Sequence, residues 1–398
     1  MKSVEKGIDR RRFLKLGALT SGLVVGGCSR TEGSPGEPAP VEMRFRELGA
    51  TGLKVSEISF GSYGFDNPAL LTAALDQGIT TICTSANYQN GRAETSIGKA
   101  IANLGSRRDE LVVFTGDMFK ANATKGDVLD AIDASLRRLQ TDHVEIYRIT
   151  NVTSLDELRI NALYEAFAEA KDAGKVSHLG LSGHHGGMQE VLNAAVDDGR
   201  YKVLFTKYDF ASYPDQDRIL EAAAKKGIGT MVFKTNAGNR KSEIKDLEAG
   251  GLSFRQATIK WALSHPYVAS VCVGITNFDE IREYAEVVGK ALNEAEVAML
   301  RRYADEMYDR YCRFCGECEG RCPHGVAIAD VNRYAMYFKY YGREKDSMQL
   351  YESLGHGRAA AVCADCEGHC EAGCPFQRTV RRDLVDAHRL LSFRGGEA

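Results

Sequence analysis

The feature that most constrains this chain is a rhythm. From residue 53 onward, short apolar or β-branched runs alternate with longer amphipathic segments. The runs lie at Glu57–Phe60, Thr80–Cys83, Leu111–Thr115, Val144–Ile149, Val176–Leu181, Val203–Phe205, Gly229–Phe233 and Val268–Val273. Helical patterns lie between them, such as Asp127–Leu139, Leu155–Ala173, Gln189–Asp197, Asp215–Lys226 and Ser253–Ser264. Eight strand–helix units spaced by about 30 residues are what a (β/α)8 barrel requires. An open doubly wound sheet is the competing α/β reading. It would place a Gly-rich dinucleotide fingerprint after the first strand, and the sequence has none there. The 398 residues leave room for a further domain. The net charge of −3 gives no electrostatic footprint for nucleic acid. No apolar run approaches the roughly 20 residues that a membrane span needs.

The segment Phe45–Gly61 resembles the opening of an aldo/keto reductase. Ala74–Gly78, Thr95–Lys99, Ala134–Asp142, Gly174–Ser182 and Gly274–Glu283 resemble later signatures of that family, in the same order. The resemblance covers residues 44–300. It implies a TIM barrel that holds NAD(P)H and a small-molecule substrate at the C-terminal ends of its strands.

The family's carbonyl reduction uses a Tyr acid with an Asp–Lys pair and a His around it, the lysine lowering the phenol's pKa. The resemblance maps the tyrosine onto Tyr88, the aspartate onto Cys83, the lysine onto Asp117 and the histidine onto Thr150. One of four positions is kept, and an aspartate in the lysine's place would raise the pKa of Tyr88. Arg148 stands two residues before Thr150, so strand alternation points it inward. It is expected to pair with an inward Asp117, because a lone buried charge is costly. His184 and His185 follow the fifth strand and are further candidates. For a nicotinamide, the resemblance implies Tyr208 as the stacking ring, Ser182 as a carboxamide contact beside Gly183, and Lys234 with Thr235 facing phosphate. Asn277 and Thr276 stand where an arginine often grips the NADP 2′-phosphate. Two readings stay open: a barrel with altered chemistry, and a barrel kept as a scaffold or binding module.

Eight of the 11 cysteines lie in two runs after residue 310. Cys312, Cys315, Cys318 and Cys322 form C-x2-C-x2-C-x3-C-P, the run of bacterial [4Fe–4S] ferredoxins. Cys363, Cys366, Cys370 and Cys374 repeat it with one extra residue before the third cysteine. In such pairs the fourth cysteine ligates the other cluster. Cys312, Cys315, Cys318 and Cys374 are therefore expected to hold one cluster, and Cys363, Cys366, Cys370 and Cys322 the second. Zinc sites and disulfides are the alternatives; zinc usually uses pairs of C-x2-C rather than four-cysteine runs closed by Cys-Pro. Helical patterns at Ile328–Tyr341 and Glu344–Leu354 separate the runs, so residues 301–398 read as a small, mainly helical ferredoxin-like domain carrying two [4Fe–4S] clusters. Tyr334, Tyr337, Phe338, Tyr340 and Tyr341 form an aromatic face expected to pack between the domains.

Residues 1–28 have signal-peptide grammar, with basic residues first and a short apolar stretch, Leu16–Gly27, after them. Arg10 and Arg11, followed by Phe13, Leu14 and Lys15, resemble a twin-arginine export motif. Val25–Cys28 resembles a lipobox that would make Cys28 the lipidated first residue of an envelope protein. A disordered basic tail is the plain alternative. Residues 29–43 are rich in Gly, Pro, Ser and Glu and read as a flexible tether. The combined expectation is an exported iron–sulfur oxidoreductase. It would exchange electrons between a ligand in the barrel mouth and its clusters, with a redox partner protein outside.

Overall fold

The computed structural model describes residues 42–184, 188–211 and 216–392. The basic N-terminal address with Arg10, Arg11 and Cys28 lies outside the described residues, and so does His185. Among the described residues no helix is long and apolar enough to cross a membrane.

A short antiparallel hairpin opens the fold, β1 (Phe45–Glu47) with β2 (Lys54–Ser56). Eight parallel strands then close into a barrel. They are β3 (Ile58–Gly61), β4 (Thr81–Cys83), β5 (Val112–Asp117), β6 (Val144–Ile149), β7 (Val176–Gly183), β8 (Val203–Lys207), β9 (Gly229–Phe233) and β10 (Ser270–Gly274), with β10 pairing to β3. Each expected apolar run is a strand. Such runs are legible because a parallel strand buried on both faces carries apolar residues almost continuously.

The barrel shell is formed by α1 (Pro68–Asp76), α2 (Arg92–Ile101), α3 (Lys125–Leu139), α4 (Leu155–Leu158), α5 (Asn161–Asp172), α6 (Met188–Asp198), α7 (Gln216–Lys225), α8 (Phe254–Leu263), α9 (Phe278–Ala285) and α10 (Glu294–Glu306). Thr124 starts α3 with a capping box to Asp127, and Asn293 starts α10 with one to Glu296. The expected single helix Leu155–Ala173 is broken in two. The Leu158 carbonyl accepts the hydroxyls of Tyr164 and Tyr201, and Ile160 is extended. Helix α10 runs across the expected domain boundary at residue 300. Its Tyr303 packs on Phe210 and Phe254, so the barrel unit includes α10.

Two apolar layers follow from strand alternation. Cys83, Val112, Phe114, Ile146, Val203, Phe205 and Met231 fill the barrel interior. Residues of the opposite parity, such as Val113, Tyr147 and Ile149, pack under the helices. Leu48 and Val55 of the hairpin join the interior layer and close its floor. Gly49 makes this approach possible: at a φ of +56°, a Cβ there would collide with the backbone of Gly227 and Gly229.

The C-terminal segment is helical, with α11 (Ile328–Tyr340), α12 (Glu344–Glu352) and α13 (Val380–Leu391), and short 3-10 turns around the cysteine runs. It has no strand among its described residues. Val331, Tyr334, Met336, Tyr337, Leu384 and Leu391 belong to the same apolar cluster as the barrel's outer layer. The aromatic residues of α11 therefore pack against the barrel.

The interior is crowded at one point. Gly116 of β5 pairs with Arg148 of β6, and a Cβ at 116 would collide with the Arg148 carbonyl oxygen and stand 2.7 Å from its Cγ. The absent side chain is what admits the arginine. Gly116→Val should therefore destabilise the protein by about 1–3 kcal/mol, the usual cost of overpacking. Denaturant unfolding checks this, and an unchanged midpoint would contradict the crossing of Arg148 over Gly116.

Candidate functional site

Arg148 follows Ile146 on the inward parity of β6 and is only 2% exposed. Its guanidinium lies over the rings of Phe114, at 4.6 Å, and Phe205, at 5.2 Å. Nη1 reaches the Phe114 carbonyl oxygen at 3.5 Å, and Nε has no hydrogen-bond partner. The cation is held by aromatic faces and a backbone carbonyl rather than by a carboxylate.

The expected Asp117–Arg148 ion pair is not formed. Phe114 faces inward, so Gly116 is the next inward residue and Asp117 shares the opposite parity with Val113 and Thr115. The inward position at this strand end is Gly116, one residue before the position assigned to the lysine. Asp117 Oδ1 instead accepts the Asn87 side-chain amide at 2.9 Å and the Met118 backbone N–H at 2.8 Å. Thr150 donates its hydroxyl to Asn87 Oδ1 at 3.2 Å. Asp117 and Thr150 thus meet through Asn87, a residue the motif comparison passed over.

Tyr88 packs edge-on against Tyr63, with ring centroids 5.2 Å apart. Burial raises the phenol's pKa, Arg148 counteracts this, and the thiols of Cys272 and Cys83 add to the rise. The cations acting on Tyr88 are therefore Arg148 first and Arg343 second, contrary to the expectation that Arg148 would be neutralised by Asp117. Cys83 shares a hydrogen bond with Cys272. That contact, followed by burial, pushes the Cys272 thiol well up. Nothing in the local sequence marked Cys272, which comes from the last strand.

The mouth of the barrel is roofed by α11 and α12. Lys234, after β9, donates from Nζ to the Tyr337 hydroxyl in a short contact. Arg333 Nη1 donates to His184 Nδ1 at 3.1 Å, and its Nη2 pairs with Asp330 at 2.5 Å. Arg343 lies 3.5 Å from the Tyr63 ring centre and 4.6 Å from that of Tyr337. Tyr63 also donates to Asp346, and burial with that carboxylate pushes its phenol up to about 12. His184 is thus at the mouth, held by the roof.

The expected nicotinamide positions fit the cofactor poorly. The Tyr208 ring is fully buried against Trp261 and His265 of the α8 region, and its hydroxyl is held by Asp217 and Tyr267. It presents no face to a cofactor, because it packs between β8 and the outer helix. Lys234 is covered by Tyr337. Thr235 is buried and 3.4 Å from Thr258 of α8. Asn277 is the N-cap of α9, accepting the Glu280 N–H at 3.0 Å. Ser182 is buried on the inward parity of β7, next to Gly180, whose added Cβ would meet Arg148 and Phe114.

The cysteine runs meet crosswise. Burial raises the Cys318 thiol first, and Cys312, Cys315 and Cys374 then raise it further. Cys363 is pushed up to about 11 by burial, then by Cys322, Cys370 and Cys366. All the described cysteines are free thiols. Two groups of four soft donors form a set whose chemistry fits iron–sulfur ligation. Among the described residues, no group of three or more His, Cys, Asp or Glu closes around a single metal ion. The first run docks on the end of β8, where Lys207 pairs with Asp209 at 2.5 Å and the Tyr311 hydroxyl donates to Asp209 at 3.2 Å. A small cleft lined by His184, Lys207, Gln216, Arg313 and Cys315 lies there.

Residues 65–246 match the model of the aldo/keto reductase family. Over those residues the barrel is similar to the aldo/keto reductase family. An uncharacterized oxidoreductase of Bacillus subtilis, YrpG, is 26% identical over 316 residues, 65% of this chain and 95% of its own length. Versiconal hemiacetal acetate reductase of Aspergillus parasiticus is 23% identical, covering 67% of this chain and 97% of the reductase. A putative voltage-gated potassium channel β subunit of Schizosaccharomyces pombe is 27% identical, covering 63% of this chain and 89% of its own. In fold, the chain is similar to an aldo-keto reductase of Bacillus halodurans in its holo form. The TM-score is 0.55 at 22% identity, over 66% of this chain and 96% of that one. The domain is that of an oxidoreductase family, and the cysteine-rich C-terminal segment is joined to it.

The unpaired state of Arg148 has a consequence. Arg148→Met should leave stability unchanged or raise it by about 1–4 kcal/mol, since a buried charge is exchanged for an apolar chain of similar length. Asp117→Ala should cost no more than about 1.5 kcal/mol, the worth of an ordinary hydrogen bond. A loss of about 3–5 kcal/mol in Asp117→Ala, measured by denaturant unfolding, would instead reveal a stranded cation.

Proposed function

We propose that this chain is an iron–sulfur oxidoreductase in which a small ligand at the barrel mouth exchanges electrons with two [4Fe–4S] clusters in the C-terminal segment. The observation that carries this reading is the crosswise approach of the two cysteine runs in a segment that also roofs the barrel. Cys312, Cys315, Cys318 and Cys374 would hold one cluster, and Cys363, Cys366, Cys370 and Cys322 the other. Bound there, the clusters supply one-electron transfer.

The chain's own residues shape the rest. Lys234, Arg333 and Arg343, set against Asp330 and Asp346, leave the mouth net cationic and favour an anionic or electron-rich ligand. Helices α11 and α12 cover part of it, through Tyr337 on Lys234 and Arg333 on His184. Asp209, Lys207 and Tyr311 fix the first cysteine run against β8, which brings Cys315 to the same cleft as His184. A redox partner protein would meet the clusters from outside. The basic N-terminal address supports export by the twin-arginine route, which carries folded proteins, with Cys28 as the lipid anchor.

A silent barrel serving electron transfer or binding is the second reading. The enclosure of Tyr208 by Trp261, His265 and Asp217 favours it, because the ring presents no face to a cofactor. Ordinary NADPH-dependent carbonyl reduction is the third, and it lacks the residues that reaction uses around Tyr88.

Purified protein should contain about eight iron atoms per chain, and Cys318→Ser should lose iron and unfold the C-terminal segment, because metal binding is coupled to folding. Iron near zero would contradict the reading. NADPH-dependent reduction of simple aldehydes should be weak or absent, since general acid catalysis alone is worth about 10²–10⁴-fold. Turnover typical of a reductase, abolished in Tyr88→Phe, would favour the third reading.

A further inference from the structure

The catalytic-type residues around Tyr88 are scattered, yet the mouth of the barrel holds a second tyrosine with a lysine. Tyr337 comes from α11 and is 3% exposed. Lys234 comes from the loop after β9, where its backbone adopts a φ of +58°. The lysine Nζ donates to the tyrosine hydroxyl and also lies 4.6 Å from the ring centre.

Each neighbouring element adds a charge to this contact. Arg333 of α11 is 5.8 Å from the Tyr337 ring centre, and Arg343, just before α12, is 4.6 Å from it. Asp330 neutralises Arg333, and Asp346 lies 3.7 Å from Arg343. His184 of the barrel rests on Arg333, and the Tyr341 ring is 5.8 Å away. The cations outnumber the carboxylates, and the guanidinium Nε atoms of Arg333 and Arg343 have no hydrogen-bond partner. Burial opposes ionisation of Tyr337, but Lys234, Arg333 and Arg343 outweigh it and bring the phenol down to about 8. Burial likewise brings Lys234 down to about 8, against the pull of the phenol. Tyr88, by contrast, is raised. A group that titrates near the working pH is the better proton donor and acceptor.

We propose that Tyr337 and Lys234 form the acid–base pair of the barrel mouth, assembled only when the C-terminal segment roofs the barrel. The role rests on the redox reading above, which places a ligand at the mouth. The proton leaves the Tyr337 oxygen for the ligand, and the phenolate is held by the Lys234 ammonium. The reverse transfer restores the phenol.

The test is a titration of tyrosinate absorbance in the full-length, iron-loaded protein, beside Tyr337→Phe and Lys234→Met. The parent protein should show a one-tyrosine step about two pH units below the ordinary value of 10.0. The step should vanish in Tyr337→Phe and move upward in Lys234→Met. Absence of an early step in the parent protein, or its survival in Tyr337→Phe, overturns the proposal. If Tyr337→Phe does not fold, Lys234→Met decides alone: an upward move supports the pair and an unmoved step overturns it. Iron content read on the same samples separates the two claims, since an iron-free parent protein defeats the redox reading whatever the tyrosine does.

Discussion

The contact between the Tyr337 hydroxyl and the Lys234 ammonium is the interaction on which the mouth of this barrel depends. It joins residues 103 positions apart. It closes the C-terminal ends of the strands, where barrels of this kind place their chemistry. Around it, Arg333 is drawn onto His184 and Arg343 onto Tyr63. The cysteine-bearing segment is thereby held against the face of the barrel where a ligand would sit. A buried lysine of this kind is costly alone. The phenol hydroxyl and the rings of Tyr337 and Phe233, 4.6 and 5.6 Å from Nζ, offset part of that cost.

Deeper in, the same economy of charge holds at Arg148. Its guanidinium is buried between Phe114 and Phe205 and has Tyr88, Cys83 and Cys272 for neighbours. The barrel has lost the Asp–Lys pair that the resemblance implies, but it has kept a cation beside the tyrosine. Gly116 is the condition for this, because any larger residue would occupy the arginine's path. The interior is therefore a different electrostatic arrangement around Tyr88 rather than a simple deletion of one.

The eight strands were legible because burial on both faces writes a continuous apolar run into the sequence. The site was less legible. Motif similarity puts Asp117 at the lysine position, but the alternation that starts from Phe114 turns Gly116 inward instead. Nothing local to Tyr208 reveals that Trp261 and His265 enclose its ring. Asn87 reads as a surface residue until its amide is seen bridging Asp117 and Thr150. Tyr337 was recognised as part of an aromatic packing face, which it is, but its lysine partner comes from a distant loop and no periodicity could announce it. The break at Ile160 is of the same kind, since it depends on two tyrosine hydroxyls reaching the Leu158 carbonyl.

A barrel whose mouth is roofed by a cluster-bearing segment makes one spectroscopic demand. Electron paramagnetic resonance of the chemically reduced full-length protein should show two reduced [4Fe–4S] signals, broadened by their mutual interaction because the two cysteine runs exchange their fourth ligands. A protein with all eight cysteines intact that gives no iron–sulfur signal, or a signal from one isolated cluster only, would contradict it.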